Sequence, residues 1–139
     1  MMGIIDIKSS LCEKRFYELL APSVFDPTEQ RLQNRAKKYQ FDETVNVFAY
    51  KQKDEYEGII VFRLLNSSAQ ILDIAVKPEC QGRGVGSAMI DFVFNSFHAD
   101  KIIAETDSDA VGFYLKIGFS VDSKSVKYDT ERFTCVKYK

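Results

Sequence analysis

Apolar and polar positions along this chain follow two different periods, and each change of period marks an element. Residues 4–7, Ile-Ile-Asp-Ile, read as a short first strand. Ser9 and Ser10 then offer N-caps for a helix over residues 11–21, with Phe16, Leu19 and Leu20 as its apolar stripe and Pro22 as its stop. A second helix starts after Asp26, with Asp26 as N-cap and Pro27 in the first helical position. Only Leu32, Ala36 and Tyr39 give that highly charged helix an apolar line, so it belongs on the surface. Residues 45–50 and 58–65 read as strands joined by a turn at Lys53, Asp54 and Glu55, and Asn66, Ser67 and Ser68 turn the chain into the next strand. Successive strands with short polar turns form an antiparallel meander.

That next strand, residues 71–76, is almost wholly apolar, as expected of a strand buried on both faces. Pro78 stops sheet pairing because it has no backbone N–H. Gly82, Gly84 and Gly86 follow at alternate positions, and then a helix over residues 84–98 that is apolar on more than one face and therefore largely buried. Residues 101–106 form another strand, which completes a βαβ unit with parallel strands. Asp107, Ser108 and Asp109 supply capping groups for a short helix carrying Ala110, Phe113, Tyr114 and Ile117 at i, i+3, i+4 and i+7. Gly118 ends it, and residues 120–122 and 132–138 close the sheet as an antiparallel pair.

Composition narrows the class. A chain of 139 residues, 45% hydrophobic, makes one domain with a real core. With 19 basic and 20 acidic residues the net charge is −1, which argues against an electrostatically driven nucleic-acid binder. Cys12, Cys80 and Cys135 are odd in number and far apart, so they build no disulfide framework, and with one histidine no metal site is evident. A reducing, cytoplasmic setting is the expectation. The amino terminus lacks the signal-peptide pattern, and no apolar run approaches the roughly 18–20 residues that cross a bilayer, so no membrane partner is expected.

The alternating glycines carry the chemistry. A glycine-rich turn opening a helix offers free backbone N–H groups and the positive end of the helix dipole, which suits a phosphate or pyrophosphate. Glycine also permits close approach, and Gln81 and Arg83 add polar and cationic contacts at the rim. The P-loop requires Gly-Lys-Ser/Thr, which this chain lacks. The dinucleotide fingerprint fits Gly82 and Gly84, but Ser87 stands where its third glycine belongs, and the turn lies mid-chain. A third pattern, Gln/Arg-x-x-Gly-x-Gly/Ala, is matched in full by Gln81, Gly82, Arg83, Gly84, Val85 and Gly86. At these residues the chain resembles the GNAT superfamily of acetyl-CoA-dependent N-acetyltransferases. For the six residues alone, a turn that merely permits a sharp reversal remains the alternative; the strand–Pro–loop–helix setting favours binding. A second match lies at Ala110, Phe113, Tyr114, Gly118 and Phe119, which fit Ala-x-x-Phe-Tyr-x-x-x-Gly-Phe in the expected order and setting.

The resemblance implies an α/β (α+β) fold: a mixed, mostly antiparallel sheet of six or seven strands, splayed at its centre and flanked by about four helices, in a single domain over residues 1–139. It implies acetyl-CoA as co-substrate, with no metal, and attack of a primary amine on the thioester through a tetrahedral intermediate. The coenzyme contacts would come from Ile74, Ala75, Val76, Gln81, Gly82, Arg83, Gly84, Val85, Gly86, Ser87, Asp107, Phe113 and Tyr114. The N–H of Val76 would meet the acetyl carbonyl, and Tyr114 would protonate the leaving thiolate, although a phenol is a weaker acid than a thiol. Donation is then useful if concerted with bond breaking, or if the site lowers the phenol's pKa. Asp73 and Glu105 stand equal as bases for the attacking amine, with a plain salt bridge as the competing role. Asp107 stands where the family often has asparagine, and Phe25, Asp26 and Arg31 lie where the family shapes its acceptor pocket. Cys80 reads as a buried thiol without chemistry. Two rivals stay open: a coenzyme A-binding module without transferase activity, and a transferase for another acyl group. The acceptor, a small-molecule or peptide amine, is not encoded in the balanced charge, and exposed closing strands make a homodimer the expected assembly.

Overall fold

The computed structural model describes residues 2–139. Its strands are β1 (Met2–Asp6), β2 (Val45–Gln52), β3 (Glu55–Leu65), β4 (Ser68–Val76), β5 (Lys101–Asp107), β6 (Ser120–Lys127) and β7 (Thr130–Tyr138). They form one sheet in the order β1-β2-β3-β4-β5-β7-β6. Every neighbouring pair is antiparallel except β4 and β5, which are parallel as the βαβ reading requires. The helices are α1 (Lys14–Tyr17), α2 (Glu29–Gln40), α3 (Val85–Phe97) and α4 (Val111–Lys116). None of them is long and apolar enough to cross a membrane.

Two cores lie on opposite faces of the sheet, because β3 and β4 bury side chains alternately to each side. One face holds α3 and α4, with Ile60, Phe62, Ile71, Ile74 and Val76 turned toward Val85, Met89, Ile90 and Tyr114. The other holds α1 and α2, with Val47, Ile59, Val61 and Ala75 beneath Leu32, Ala36 and Tyr39. The thin apolar line read on α2 is therefore its buried edge.

Close approach of α3 to its neighbours rests on two glycines. A Cβ on Gly58 of β3 would come within 3.0 Å of Val85 and 3.1 Å of Met89. A Cβ on Gly86 would come within 3.0 Å of the Phe113 ring, so Gly86 sets the α3–α4 spacing rather than facing open space. Gly86→Leu is expected to cost about 1–3 kcal/mol through overpacking, read as a fall in the urea midpoint.

The amino-terminal segment departs from the expected helix over residues 11–21. A 3-10 turn (Lys8–Ser10) precedes α1, and a second 3-10 segment (Glu18–Ser23) follows it and contains Pro22. Leu11, Phe16, Tyr17, Leu19 and Leu20 are all buried in the α2-side core. Pro22 has no N–H to donate to Glu18 C=O, so an α-helix cannot run on to it unbroken. The cap of α2 also moves. Thr28 is the N-cap, its hydroxyl accepting from Arg31 N–H at 3.2 Å, while Asp26 takes a left-handed φ of 48° in the preceding turn. At the other end, β6 and β7 are longer than expected and meet at Tyr128 and Asp129, both at positive φ, as a two-residue hairpin turn requires.

Candidate active site

β4 carries a bulge where β5 leaves it. Phe62 pairs with Ile71 but Val61 pairs with Asp73, so Leu72 is the extra residue. The last β4–β5 pair is Ile71 with Ala104, and beyond it the two strands part. The bulge has two consequences. It moves Asp73 from the α3 face, where strict alternation after Ile71 would put it, to the α2 face. It also bends β4 away from β5, opening a gap in the middle of the sheet.

Backbone groups line that gap. Lys77 N–H donates to Glu57 C=O at 2.9 Å, and Gly58 stands opposite Val76. In an antiparallel ladder the direction alternates, so Ala75 faces β3 while the N–H groups of Ile74 and Val76 face the β5 side. Gln81 donates to Val76 C=O at 3.2 Å, which ties the glycine loop to the end of β4.

The loop itself fits an anion. Gly82 and Gly84 have φ of 80° and 82°, a left-handed geometry that favours glycine. A Cβ at either position would meet nothing within 4 Å, so the space before the loop is open. Gly84 is the N-cap of α3 and no side chain caps the helix, which leaves the amides at the start of α3, around Val85, Gly86 and Ser87, available. Arg83 extends from the rim, 3.9 Å from Glu57. Cys80 is buried beneath the loop, and burial, then the charge of Glu57, push its thiol up.

Tyr114 enters from α4, with its ring against Phe113 and Phe119 at 5.3 Å each. It is 7% exposed, and burial, then the charge of Asp73, push its phenol above the ordinary range. Of the two routes to proton donation weighed from the sequence, the lowered phenol is thus not the one this fold provides. Asp107 spends Oδ1 on the N–H groups of Asp109 and Ala110, at 3.1 and 2.9 Å. It builds the turn before α4, whose N-cap is Ala110 with no side-chain cap, so the capping role expected of residues 107–109 is not the one seen.

Asp73 is 5% exposed and fully engaged. Its Oδ1 accepts from Ser23 Oγ and Arg35 Nη1, each at 3.0 Å. Its Oδ2 accepts from the same Arg35 nitrogen at 2.9 Å and from the Tyr39 hydroxyl. Ser23 has a single hydroxyl proton, which Leu20 C=O also accepts at 2.9 Å, so Arg35 and Tyr39 are the firm partners of Asp73. The salt-bridge reading of Asp73 therefore holds, and its carboxylate is turned to this network. Glu105 differs: it is exposed, follows the last β5 residue paired with β4 while still pairing with Thr134 of β7, and alternates with the buried Ala104 and Thr106 onto the α2 side. Ser23, Arg35 and Tyr39 escaped the sequence reading, although a lone acid in an apolar strand and an Arg–Tyr pair at i, i+4 were signals of a buried network.

Two expected outcomes follow from this network. Arg35→Met leaves Asp73 charged and underpaired; stability should fall by about 2–3 kcal/mol in urea unfolding, the lower range for a broken pair because Arg35 is partly exposed. Tyr39 and Tyr114 both have phenols raised by burial first and Asp73 second. The folded state then holds their protons more tightly than the unfolded chain, so stability is full below pH about 10 and falls as pH rises past it. Urea midpoints measured across that range should decline, and less steeply in Tyr39→Phe.

Comparison with known proteins agrees with this geometry. Residues 7–139 match the family described as acetyltransferase (GNAT) domain. The chloroplastic GCN5-related N-acetyltransferase 2 of Arabidopsis thaliana is 33% identical over 63 residues, a match spanning 43% of this chain and 24% of that protein. The ribosomal-protein-S18-alanine N-acetyltransferase of Escherichia coli superposes with a TM-score of 0.77 at 15% identity, covering 99% of this chain and 94% of that one. A spermidine N-acetyltransferase of Vibrio cholerae superposes at 0.72 with 15% identity, covering 99% and 93%. Seven strands split between β4 and β5, a glycine-capped α3 and a family match over nearly the whole length lead to one conclusion: the chain belongs to the GNAT acetyltransferase family.

Proposed function

We propose that this protein transfers the acetyl group of acetyl-CoA to a primary amine by direct attack. The observation that carries the reading is the gap between β4 and β5, with Val76 N–H directed into it close to the uncapped start of α3. Gly82, Gly84 and the first amides of α3 would hold the pyrophosphate, with Gln81 and Arg83 at the rim. Ile74, Ala75 and Val76 would border the arm that ends in the thioester, and Phe113 and Tyr114 would flank its sulfur end.

Acetyl-CoA supplies an activated thioester carbonyl. Val76 N–H donates to the carbonyl oxygen as the amine nitrogen bonds to carbon and charge collects on oxygen; a fixed donor of this kind contributes roughly 10²–10³ in rate. The C–S bond then breaks, and the Tyr114 hydroxyl delivers its proton to the departing sulfur. Burial holds that proton tightly, so donation helps only if it is concerted with bond breaking. Glu105, exposed at the mouth of the gap, takes the proton lost by the amine. Asp73 is a positioning residue that fixes Arg35 and Tyr39.

Spermidine and an alanine of ribosomal protein S18 are the acceptors named for two proteins of this fold, so the fold alone does not choose the amine. The ion-paired, buried Asp73 and the tightly held Tyr114 proton are what favour the rival, a coenzyme A-binding module without transfer. Incubation with acetyl-CoA and a panel of primary amines, read as thiol release with mass detection of the product, separates the two. Equal yields of thiol and acetylated amine support transfer. Coenzyme binding with no acetylated product from any amine supports the module, and turnover only with a larger acyl thioester reassigns the acyl group.

A further inference from the structure

On the α2 side of the sheet, opposite the glycine loop, lies a cleft of about 430 Å³, the size of a small-molecule site. Arg31, Arg35 and Lys38 line it, along with Tyr39 and Phe25, and no carboxylate is among its lining residues. Asp73 lies beneath Arg35 and faces this side. A thioester reaching the β4–β5 gap from the α3 face would therefore meet its acceptor from the side this cleft occupies.

The cations are only partly neutralised. Arg35 spends Nη1 alone on Asp73, so Nε and Nη2 keep their donors while the side chain stays partly exposed. Arg31 reaches Asp26 only at 3.9 Å, with both side chains more than half exposed, a pair worth little. Lys38 joins no salt bridge among the described residues. Phe25, 88% exposed, gives the mouth an apolar flank.

Resting on the transferase reading, we propose that the acceptor is a small amine that carries an anionic group, a carboxylate or a phosphate, held by Arg35, Lys38 and Arg31. A second amine in its place would meet like charges, so a polyamine is disfavoured. The anion anchors in the cleft, the carbon chain crosses Phe25 and Tyr39, and the amine points to the gap.

Four amines of similar length test this in thiol-release kinetics with acetyl-CoA: γ-aminobutyrate, 3-aminopropyl phosphate, 4-aminobutyramide and 1,4-diaminobutane. The two anionic amines should exceed the neutral amide by roughly tenfold in kcat/KM and the diamine by more; the better of the two identifies the anion. Lys38→Glu should raise KM for the anionic amines by about tenfold and narrow their lead over the diamine, without a matching rise in KM for acetyl-CoA. Glutarate, which has no amine, is titrated in parallel by NMR: shifts confined to α2 and weakened in Lys38→Glu support the cleft without any turnover. Preference for the neutral amide or the diamine overturns this inference and leaves the transferase reading intact. Glutarate binding with no turnover of any amine overturns transfer and keeps the anion site. No glutarate shift together with no anionic preference overturns the inference outright.

Discussion

Gly84→Trp is expected to abolish measurable acetyl-CoA binding, a loss of at least about a hundredfold in affinity, in a protein that stays folded. The direction follows from the loop geometry. Gly84 sits at φ 82° with open space where a Cβ would go, so an indole there projects into the volume proposed for the pyrophosphate and meets little of the protein. Backbone strain adds only about 1–2 kcal/mol for a side chain in the left-handed region, and Gly84→Ala carries that strain without the bulk. The alanine variant should therefore bind more weakly than the wild type but far better than the tryptophan variant. Titration calorimetry with acetyl-CoA, alongside circular dichroism, distinguishes the two causes. Unchanged affinity in a folded Gly84→Trp protein would remove the loop from the site. Gly86 offers no such test, because its substitution strikes Phe113 and disturbs packing before it disturbs a ligand.

Tyr114→Phe is expected to lower kcat by about a hundredfold or more, the contribution usual for a positioned proton donor, with little change in KM for acetyl-CoA. The ring keeps its contacts with Phe113 and Phe119, so stability should be retained. A purely packing role predicts the opposite pattern, with kcat unmoved. The raised phenol sharpens the prediction: Tyr114 remains protonated at neutral and mildly alkaline pH, so kcat should show no alkaline loss from this residue below about pH 10. Loss of activity in the Phe variant combined with an alkaline limb near neutrality would assign the proton to another group.

Local chemistry made the centre of this molecule legible. Apolar residues, a proline, three spaced glycines and an apolar helix are contiguous, and they fold with little dependence on distant partners. The strand, the loop and α3 therefore lie close to where their residues place them. The bulge at Leu72 is different, because it appears only when β4 is registered against β3, and that register is a long-range property. It decides that Asp73 faces Arg35 rather than α3, so the two carboxylates that looked equivalent are not: one is buried in an ion pair, the other exposed.

The amino-terminal third was read less well for a related reason. Its geometry answers to the α2-side core and to Pro22 rather than to helical propensity alone. Thr28 captures the cap of α2 because Asp26 is drawn into the left-handed turn before it. The basic cleft shares this origin. Arg31, Arg35 and Lys38 share one face of α2 at i, i+4 and i+7, but only the fold sets that face beside Asp73 and Phe25 around one cavity.

A crystal structure of the protein with acetyl-CoA bound is the decisive measurement. The pyrophosphate is expected against residues 82–87, the sulfur beside the Tyr114 hydroxyl, and the thioester oxygen within about 3 Å of Val76 N in the β4–β5 gap. A coenzyme seated elsewhere, or a sheet in which β5 closes onto Val76 and leaves no gap, would contradict this placement.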